Sequence, residues 1–247
     1  MALENVVSER EGELASIIIP AKDEEKDIGK TLQGVKDQTY KNIEAIVTCN
    51  GCIDKTTDIA RSFYNKIKNL KVIETKKSGV SYARNLGAKH AQGNILVFLD
   101  ADGVMAPNTI EEIVKEMKDY QNITGICRGY PDKRDWKAYI LIFSKNIFPF
   151  RLFVVSNGLI FCNRELYDTI GGFDESKKRH EVTKFRWGGF KYIISSKISL
   201  SRNTGTSKYA YLKTTNVKVS MRRFEKDGYW KTMLGWSRPV KNYLEVR

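Results

Sequence analysis

The chain has 247 residues, enough to bury a sizeable core as one domain or one domain with appendages. A hydrophobic share of 41% and an aromatic share of 11% are globular values and exclude a disordered or collagen-like chain. The net charge of +13 is unevenly placed: residues 1–175 hold 24 basic and 25 acidic side chains, whereas 176–247 hold 18 and 4, so a near-neutral body carries a basic region suited to an anionic partner.

The first fifteen residues, MALENVVSEREGELA, are polar and read as an N-terminal extension without the apolar core of a secretory signal. The first strand follows as "ASIIIPAKDEE", a β-branched run stopped at Pro20, the pattern of a buried parallel strand. Ile28, Leu32 and Val35 recur at helical spacing. "IEAIVTC" reads as a second strand, and "DKTTDIARSFYNKI" as a helix with Ile59, Phe63 and Ile67 on one face, opened by Asp54 as a cap. A short strand around Val72 and Ile73 precedes "SGVSYARNLGAKHAQG", where Val80, Ala83, Leu86 and His90 fall near helical period. Then come the strand "NILVFLDADG" and the helix "PNTIEEIVKEMKDY", marked by Ile110, Ile113, Val114 and Met117.

Four strand–helix alternations imply right-handed crossovers and a mostly parallel sheet flanked by helices. Ligands of such sheets gather at the carboxyl ends of the strands. Pro20–Asp23, Cys49–Asp54 and Asp100–Asp102 all lie at such ends, so these three loops are expected to converge. After Tyr120 the rhythm changes. "GICRGY" and "SNGLIFCN" look like further strands, and "DWKAYILIFSKNIFPFRLF" is rich in aromatics. Its apolar stretches are interrupted by Lys145 and Arg151 and are too short to cross a bilayer. No such run occurs elsewhere, so a cytoplasmic protein is expected. Four cysteines are too few and too scattered for a disulfide framework. Cys49 and Cys52 form a CxxC without a second close pair, which favours buried thiols over a zinc site.

Asp100 and Asp102 repel each other unless something positive shares their site. Two carboxylates at this spacing can hold Mg²⁺ or Mn²⁺, with phosphate oxygens and water completing the shell. They can equally cap loop N–H groups. Arg84 shifts the balance, because it sits early in a helix opening after Gly79, where N–H groups and the helix dipole already favour an anion. Its fork suits phosphate oxygens. Metal, arginine and helix terminus together are equipment for stabilising a departing diphosphate.

The stretches "SIIIPAKDEEKDIGKTL", "VTCNGCIDKTTDIA", "GVSYARNLGAKHAQGNILVFLDADG" and "NGLIFCNRELYDTIGGFDES" resemble, in order, family 2 glycosyltransferases of the GT-A fold. The resemblance spans about Ser16 to Glu175. It implies a catalytic core over 16–175, a variable acceptor or lid region over 176–247 of the same domain, and metal-dependent, inverting transfer of a sugar from a nucleotide-diphosphate donor to an acceptor hydroxyl. Pro20, Ala21 and Asp23 match the first donor loop, and Asn50, Gly51 and Asp54 the second. Cys49 stands where the family usually has an acid that contacts the base. Gly79, Arg84 and Asn85 match the motif facing the diphosphate. Asp100, Ala101 and Asp102 match the DXD motif, with Asp102 the main metal ligand and Asp100 near the ribose or the metal's water shell. The family's acidic pair after "GGFDE" is replaced here by His180–Glu181. Glu181 is the expected base and Asp174 the reserve, although Asp174 also suits a turn after Gly171 and Gly172. His180 is either a further metal ligand or a solvated side chain.

The end of the chain, "MRRFEKDGYWKTMLGWSRPVKNYLEVR", reads as a basic amphipathic segment. It either lies on an anionic membrane or packs on the core. A glycan or lipid-linked acceptor, and a peripheral place on the cytoplasmic membrane face, fit this composition. The competing class is a catalytically silent nucleotide-sugar-binding or scaffolding module that keeps the donor loops without a working base. Nucleic-acid binding by the basic region lacks any accompanying motif. No Gly-rich loop or GxGxxG follows the first strand, which disfavours a nucleotidyltransferase or a dinucleotide oxidoreductase.

Overall fold

Eight strands make one sheet, in the spatial order 70–75, 43–50, 15–21, 95–99, 159–163, 124–131, 209–219 and 103–105, in this computed structural model, which describes residues 12–119, 123–146, 158–176 and 209–228. The first half alternates: β1 (Ala15–Ala21), α1 (Ile28–Lys36), β2 (Ile43–Asn50), α2 (Thr56–Arg61), β3 (Leu70–Thr75), α3 (Val80–His90) and β4 (Ile95–Leu99). β3, β2, β1 and β4 pair in parallel, as the alternation predicts. The second half holds β5 (Gly103–Met105), α4 (Thr109–Asp119), β6 (Thr124–Pro131), α5 (Trp136–Asn146), β7 (Leu159–Asn163), α6 (Arg164–Thr169), β8 (Tyr209–Val219) and α7 (Arg222–Asp227). β7 runs antiparallel between β4 and β6. β8 pairs in parallel with β6, and β5 closes the sheet antiparallel to β8. β5 and β8 add to the elements expected from sequence.

Period-2 alternation divides the core between two faces. Ile17 and Ile19 of β1, Val47 of β2 and Val97 of β4 pack with α1, α2 and α4. Ile18, Ile46, Leu96 and Phe98 pack on the other side with α3 and α6. Both faces are covered, which is why these strands read as continuous apolar runs. Ile28, Leu32 and Val35 of α1, and Ile110 and Ile113 of α4, are fully buried at the expected spacing.

Two helices depart from the reading. α2 ends at Arg61, yet Phe63 and Ile67 remain buried through the turns that follow. In α3 the buried face is Ser81, Ala83, Arg84, Gly87 and Ala88, while His90 is exposed. The cause is close approach: a Cβ at Gly87 would lie 2.5 Å from Ile18 Cγ2 and 3.2 Å from Thr48 Oγ1. Only small side chains fit at that point, and Arg84, one turn earlier on the same face, is buried where it meets Asp100.

At the amino edge of the parallel strands sits a buried carboxylate, Glu44. Its Oε1 accepts from Ser16 Oγ at 2.7 Å and from the Gln92 and Gly93 N–H groups at 2.5 and 3.2 Å. Its Oε2 accepts from Lys71 Nζ at 2.9 Å. The carboxyl edge gathers the loops after β1, β2, β3 and β4. Because β4 and β6 both oppose β7, and β8 follows β6, the β6–α5 and β8–α7 junctions reach that same edge.

Candidate active site

Asn50 ties together the loops after β1, β2 and β3. Its Nδ2 donates to Ala21 O at 2.8 Å and its Oδ1 accepts from Gly79 N–H at 3.1 Å, which ties the ends of β1 and β2 to the start of α3. Gly51 adopts φ +72° and donates its N–H to Thr75 O at 2.7 Å, a backbone shape that favours glycine. Asp23 also has positive φ, 54°, tolerated by a short polar side chain, and its Oδ1 accepts from Ile53 N–H at 2.9 Å. Asp54 accepts from Thr56 N–H at 3.0 Å and from Glu25 N–H at 3.1 Å. It therefore satisfies the first helical N–H of α2 from one residue before the cap.

Asp23, Cys52 and Asp54 bring their ligand atoms within 4.8 Å of one another. The two carboxylates already serve as acceptors for these loop N–H groups. Pro20 and Ala21 lie in β1 opposite Thr48 and Cys49. Cys49 itself is wholly buried among the α1 and α2 side chains, and burial pushes its thiol up to about 11. A neutral, enclosed thiol offers no carboxylate to a base, so the departure from the family pattern is physical as well as formal.

Asp100 and Asp102 stand at the end of β4 with Ala101 buried between them. Arg84 Nη2 donates to Asp100 Oδ1 at 2.8 Å; its side chain is 5% exposed and that of Asp100 38%. The guanidinium also lies 5.1 Å from the Phe173 ring centre. Arg84 thus braces Asp100 from beneath. Asp102 is the strained member: burial, then the charges of Asp100 and Glu24, raise its carboxyl to about 7, with Arg222 acting in the opposite sense. Arg222, the first residue of α7, bonds Glu24 Oε2 and reaches Asp27 Oδ2 at 3.3 Å. No local signal marks it in the sequence, since its partners lie in the β1–α1 loop.

Asn85 holds the "GGFDE" turn against α3. Its Oδ1 accepts from Tyr167 Oη at 2.8 Å and Phe173 N–H at 2.9 Å, and its Nδ2 donates to Phe173 O at 2.8 Å and Glu175 Oε1 at 3.1 Å. Gly172 is fixed here by φ +70° and by Tyr167 Oη, which would lie 2.8 Å from an added Cβ. Asp174 Oδ1 accepts from Ser176 N–H at 3.0 Å and Ser176 Oγ at 2.7 Å, the geometry of a turn former. A cleft of about 290 Å³ opens beside Gly79 and Ser81, walled by Lys77, Tyr82 and Glu175. His180 and Glu181 lie outside the described residues.

The donor set at the carboxyl edge fits a hard divalent cation: two aspartate carboxylates one residue apart, with Asp102 short of positive charge. The proteins this chain is similar to are glycosyltransferases. Among relatives, an uncharacterized glycosyltransferase of Rickettsia prowazekii is 33% identical over 219 residues, 78% of this chain and 67% of the relative. Glycosyltransferase GlyA of Streptococcus pneumoniae is 32% identical over 106 residues, 43% of this chain and 15% of GlyA. Glycosyltransferase AglE of Haloferax volcanii is 42% identical over 90 residues, 35% of this chain and 30% of AglE. The chain therefore spans well under two thirds of the length of several relatives it matches.

Of the solved structures, S. aureus TarS in complex with UDP-GlcNAc superposes with a TM-score of 0.64 at 17% identity, covering 84% of this chain and 58% of that one. The mannosyltransferase PcManGT from Pyrobaculum calidifontis, in complex with GDP-Man and Mn²⁺, gives 0.54 at 24% identity, over 70% and 51%. At these identities the likeness shows the fold, the GT-A type. The sequence model of glycosyl transferase family 2 matches residues 16–198, a span that holds the loops after β1 to β4 and the turn at 171–175 but not Arg222, and the chain belongs to that family.

Proposed function

We propose that the chain moves a glycosyl group, with inversion, from a nucleoside-diphosphate sugar to an acceptor hydroxyl on a glycan or lipid-linked molecule, with a divalent cation held at Asp102. The observation that carries this reading is the charge imbalance at the carboxyl edge. Asp102 is half-buried between Asp100 and Glu24, and its carboxyl is raised to about 7. A divalent cation with a diphosphate beside it resolves that imbalance. When bound, Mn²⁺ or Mg²⁺ supplies positive charge to the departing diphosphate.

The chain's own residues do the rest. Asp102 and Asp100 present the carboxylates, and Arg84 fixes the rotamer of Asp100. Asn50 and Gly51 shape the floor of the donor loops, and the N–H groups at the start of α3 face the anionic part of the donor. Asn85 keeps the "GGFDE" turn in register with α3. Glu181 is the proposed base for the acceptor hydroxyl, and His180 a proposed additional ligand. Asp174 is committed to its turn, which weakens its claim as base. TarS and PcManGT, bound to UDP-GlcNAc and GDP-Man, support a nucleotide-sugar donor. Neither neighbour fixes the nucleotide here, because the usual acid is Cys49.

Thermal melting with UDP-, GDP- and dTDP-sugars, with and without Mn²⁺, tests the reading. One donor is expected to raise the melting temperature only when metal is present. Melting that ignores every nucleotide–metal pair would overturn it. Binding without turnover across a broad acceptor screen would favour the silent binding module.

A further inference from the structure

Among the described residues, six large apolar side chains are exposed, and four of them, Trp136, Tyr139, Ile140 and Phe143, belong to α5. They are between 46% and 66% exposed. Their spacing of i, i+3, i+4 and i+7 places them on one face over two turns. The opposite face is the one that packs: Ala138 and Ile142 are buried and α5 lies against β6. A surface helix ordinarily turns charge outward. Scattered exposed apolar residues are common, but a contiguous patch marks a surface that meets something.

We infer that this face of α5 docks the protein on an anionic membrane surface. The charges around it carry the choice of occupant. Arg134 and Lys137 are exposed at the start of α5, and Lys218 and Lys226 are exposed at the end of β8 and on α7. Lys218 stands opposite Tyr130 in register, one residue before β6 ends. The acids nearby are engaged within the protein. Asp132 accepts from Met221 N–H at 3.0 Å, Asp135 from Lys137 N–H at 3.0 Å, and Glu225 from Lys133 Nζ at 2.7 Å. An apolar face holding a Trp and a Tyr, with Arg134 and Lys137 beside it and further lysines at the same edge of the sheet, is the form of an interfacial helix, and those cations complement anionic headgroups.

The fold gives the docking a consequence. α5 springs from the end of β6, at the same edge of the sheet as Asp100 and Asp102. Docking through α5 brings that edge to the bilayer and selects a lipid-linked acceptor presented from it. The acceptor class rests on the glycosyl-transfer reading above, whereas the docking itself does not.

Co-sedimentation with vesicles tests the inference, using phosphatidylcholine alone or phosphatidylcholine mixed with phosphatidylglycerol. The full chain is expected to pellet with the mixed vesicles, less so at high salt, and to stay largely in solution with the neutral ones. Removing Trp136 and Phe143 together (W136S/F143S) should lower partition by about tenfold or more, since each aromatic then leaves the interface. I140E, which places a charge in the same face, should do so as well. Retained melting of either variant shows that it is folded. A wild-type chain that ignores anionic vesicles, or variants that pellet like wild type, would overturn the docking. So would a dimer in solution that W136S/F143S dissociates, because a second copy would then be the occupant. Vesicle binding by a chain that no nucleotide stabilises would leave the docking standing and remove the donor-site reading.

Discussion

The two edges of the parallel sheet each bury an acid, and the acids are in opposite conditions. At the amino edge, burial works to raise Glu44. Hydrogen bonds from the Gln92 N–H, Lys71 and Ser16 outweigh it and hold the carboxyl below its ordinary value. At the carboxyl edge, burial raises Asp102, and Asp100 and Glu24 raise it further. The first carboxylate is completed by the chain itself. The second has the Arg222 charge working against the rise without cancelling it. Folding alone accounts for Glu44, whereas Asp102 keeps an excess of negative charge around it, which the cation of the proposed function would offset.

The sharpest way to break this contrast is to exchange the outcomes of two substitutions. Asp102→Ala is expected to lower turnover by about a thousandfold or more and to abolish metal-dependent stabilisation by donor. The metal-free melting temperature should hold or rise, because an unfavourable charge leaves the site. Turnover within tenfold of wild type would show that Asp102 is not the metal's anchor. Glu44→Gln should do the reverse. Its amide oxygen can still accept from Ser16 and the Gln92 and Gly93 N–H groups, but its NH₂ would face the Lys71 ammonium, at a cost of about 2–4 kcal/mol, visible as an earlier denaturation midpoint. Donor affinity should stay within error. A Glu44→Gln protein of normal stability but weak donor binding would erase the distinction between the two edges.

A smaller effect sharpens the account of α3, the helix that links both edges. Gly87→Ala adds a methyl 2.5 Å from Ile18 Cγ2. Overpacking costs about 1–3 kcal/mol, and the gain in helix propensity returns up to about 1 kcal/mol. A net loss of about 1–2 kcal/mol in chemical denaturation is expected. A more stable Gly87→Ala protein would mean that α3 does not lie close against the sheet.

How much of this was legible in the sequence follows the range of the interactions. β1 to β4 and α1 and α4 were readable because their burial repeats locally, every second or every third to fourth residue. The approach of the Asp23 and Asn50 loops followed from parallel topology, and Asp102 reaches the first of them through the charge of Glu24. The inward turn of Arg84 was not readable, because apolar periodicity treats an arginine as an outward residue and the groups it meets, Asp100 and the Phe173 ring, lie outside its helix. Arg222 was hidden for a different reason: its partners Glu24 and Asp27 lie far away in sequence, 198 residues in the case of Glu24, and one arginine in a basic stretch looks like any other. β8 escaped because its burial pattern is irregular and its pairing with β6 shifts register between Cys127 and Arg128. The roles of Asn85 and Asp174 sat between these cases. Their motif was visible, but only the hydrogen bonds show that both shape the turn.

The smallest expected effect is the most diagnostic, because the two edges should respond to pH with opposite signs. Asp102 has a folded value of about 7 against an ordinary 3.8, so between those values the folded state holds a proton that the unfolded state has lost. Stability of the metal-free protein must then increase as pH falls from about 7 towards 5. The raised Glu24 adds to the same limb. Full conversion at ~1.4 kcal/mol per unit overstates the change for a half-buried group open to solvent screening, and about 1 kcal/mol is expected. Glu44 behaves conversely. Its lowered value means that its contribution is present above the ordinary 4.5 and is lost as pH falls below it. Melting curves in chelator should therefore rise on mild acidification and fall on stronger acidification. Asp102→Asn should flatten only the first limb and Glu44→Gln weaken only the second. With Mn²⁺ and the stabilising donor, Asp102 has to release its proton, so the first limb should reverse and stability grow with pH. A first limb that persists unchanged in Asp102→Asn would assign the titration to another group and remove the electrostatic argument for a cation at this edge.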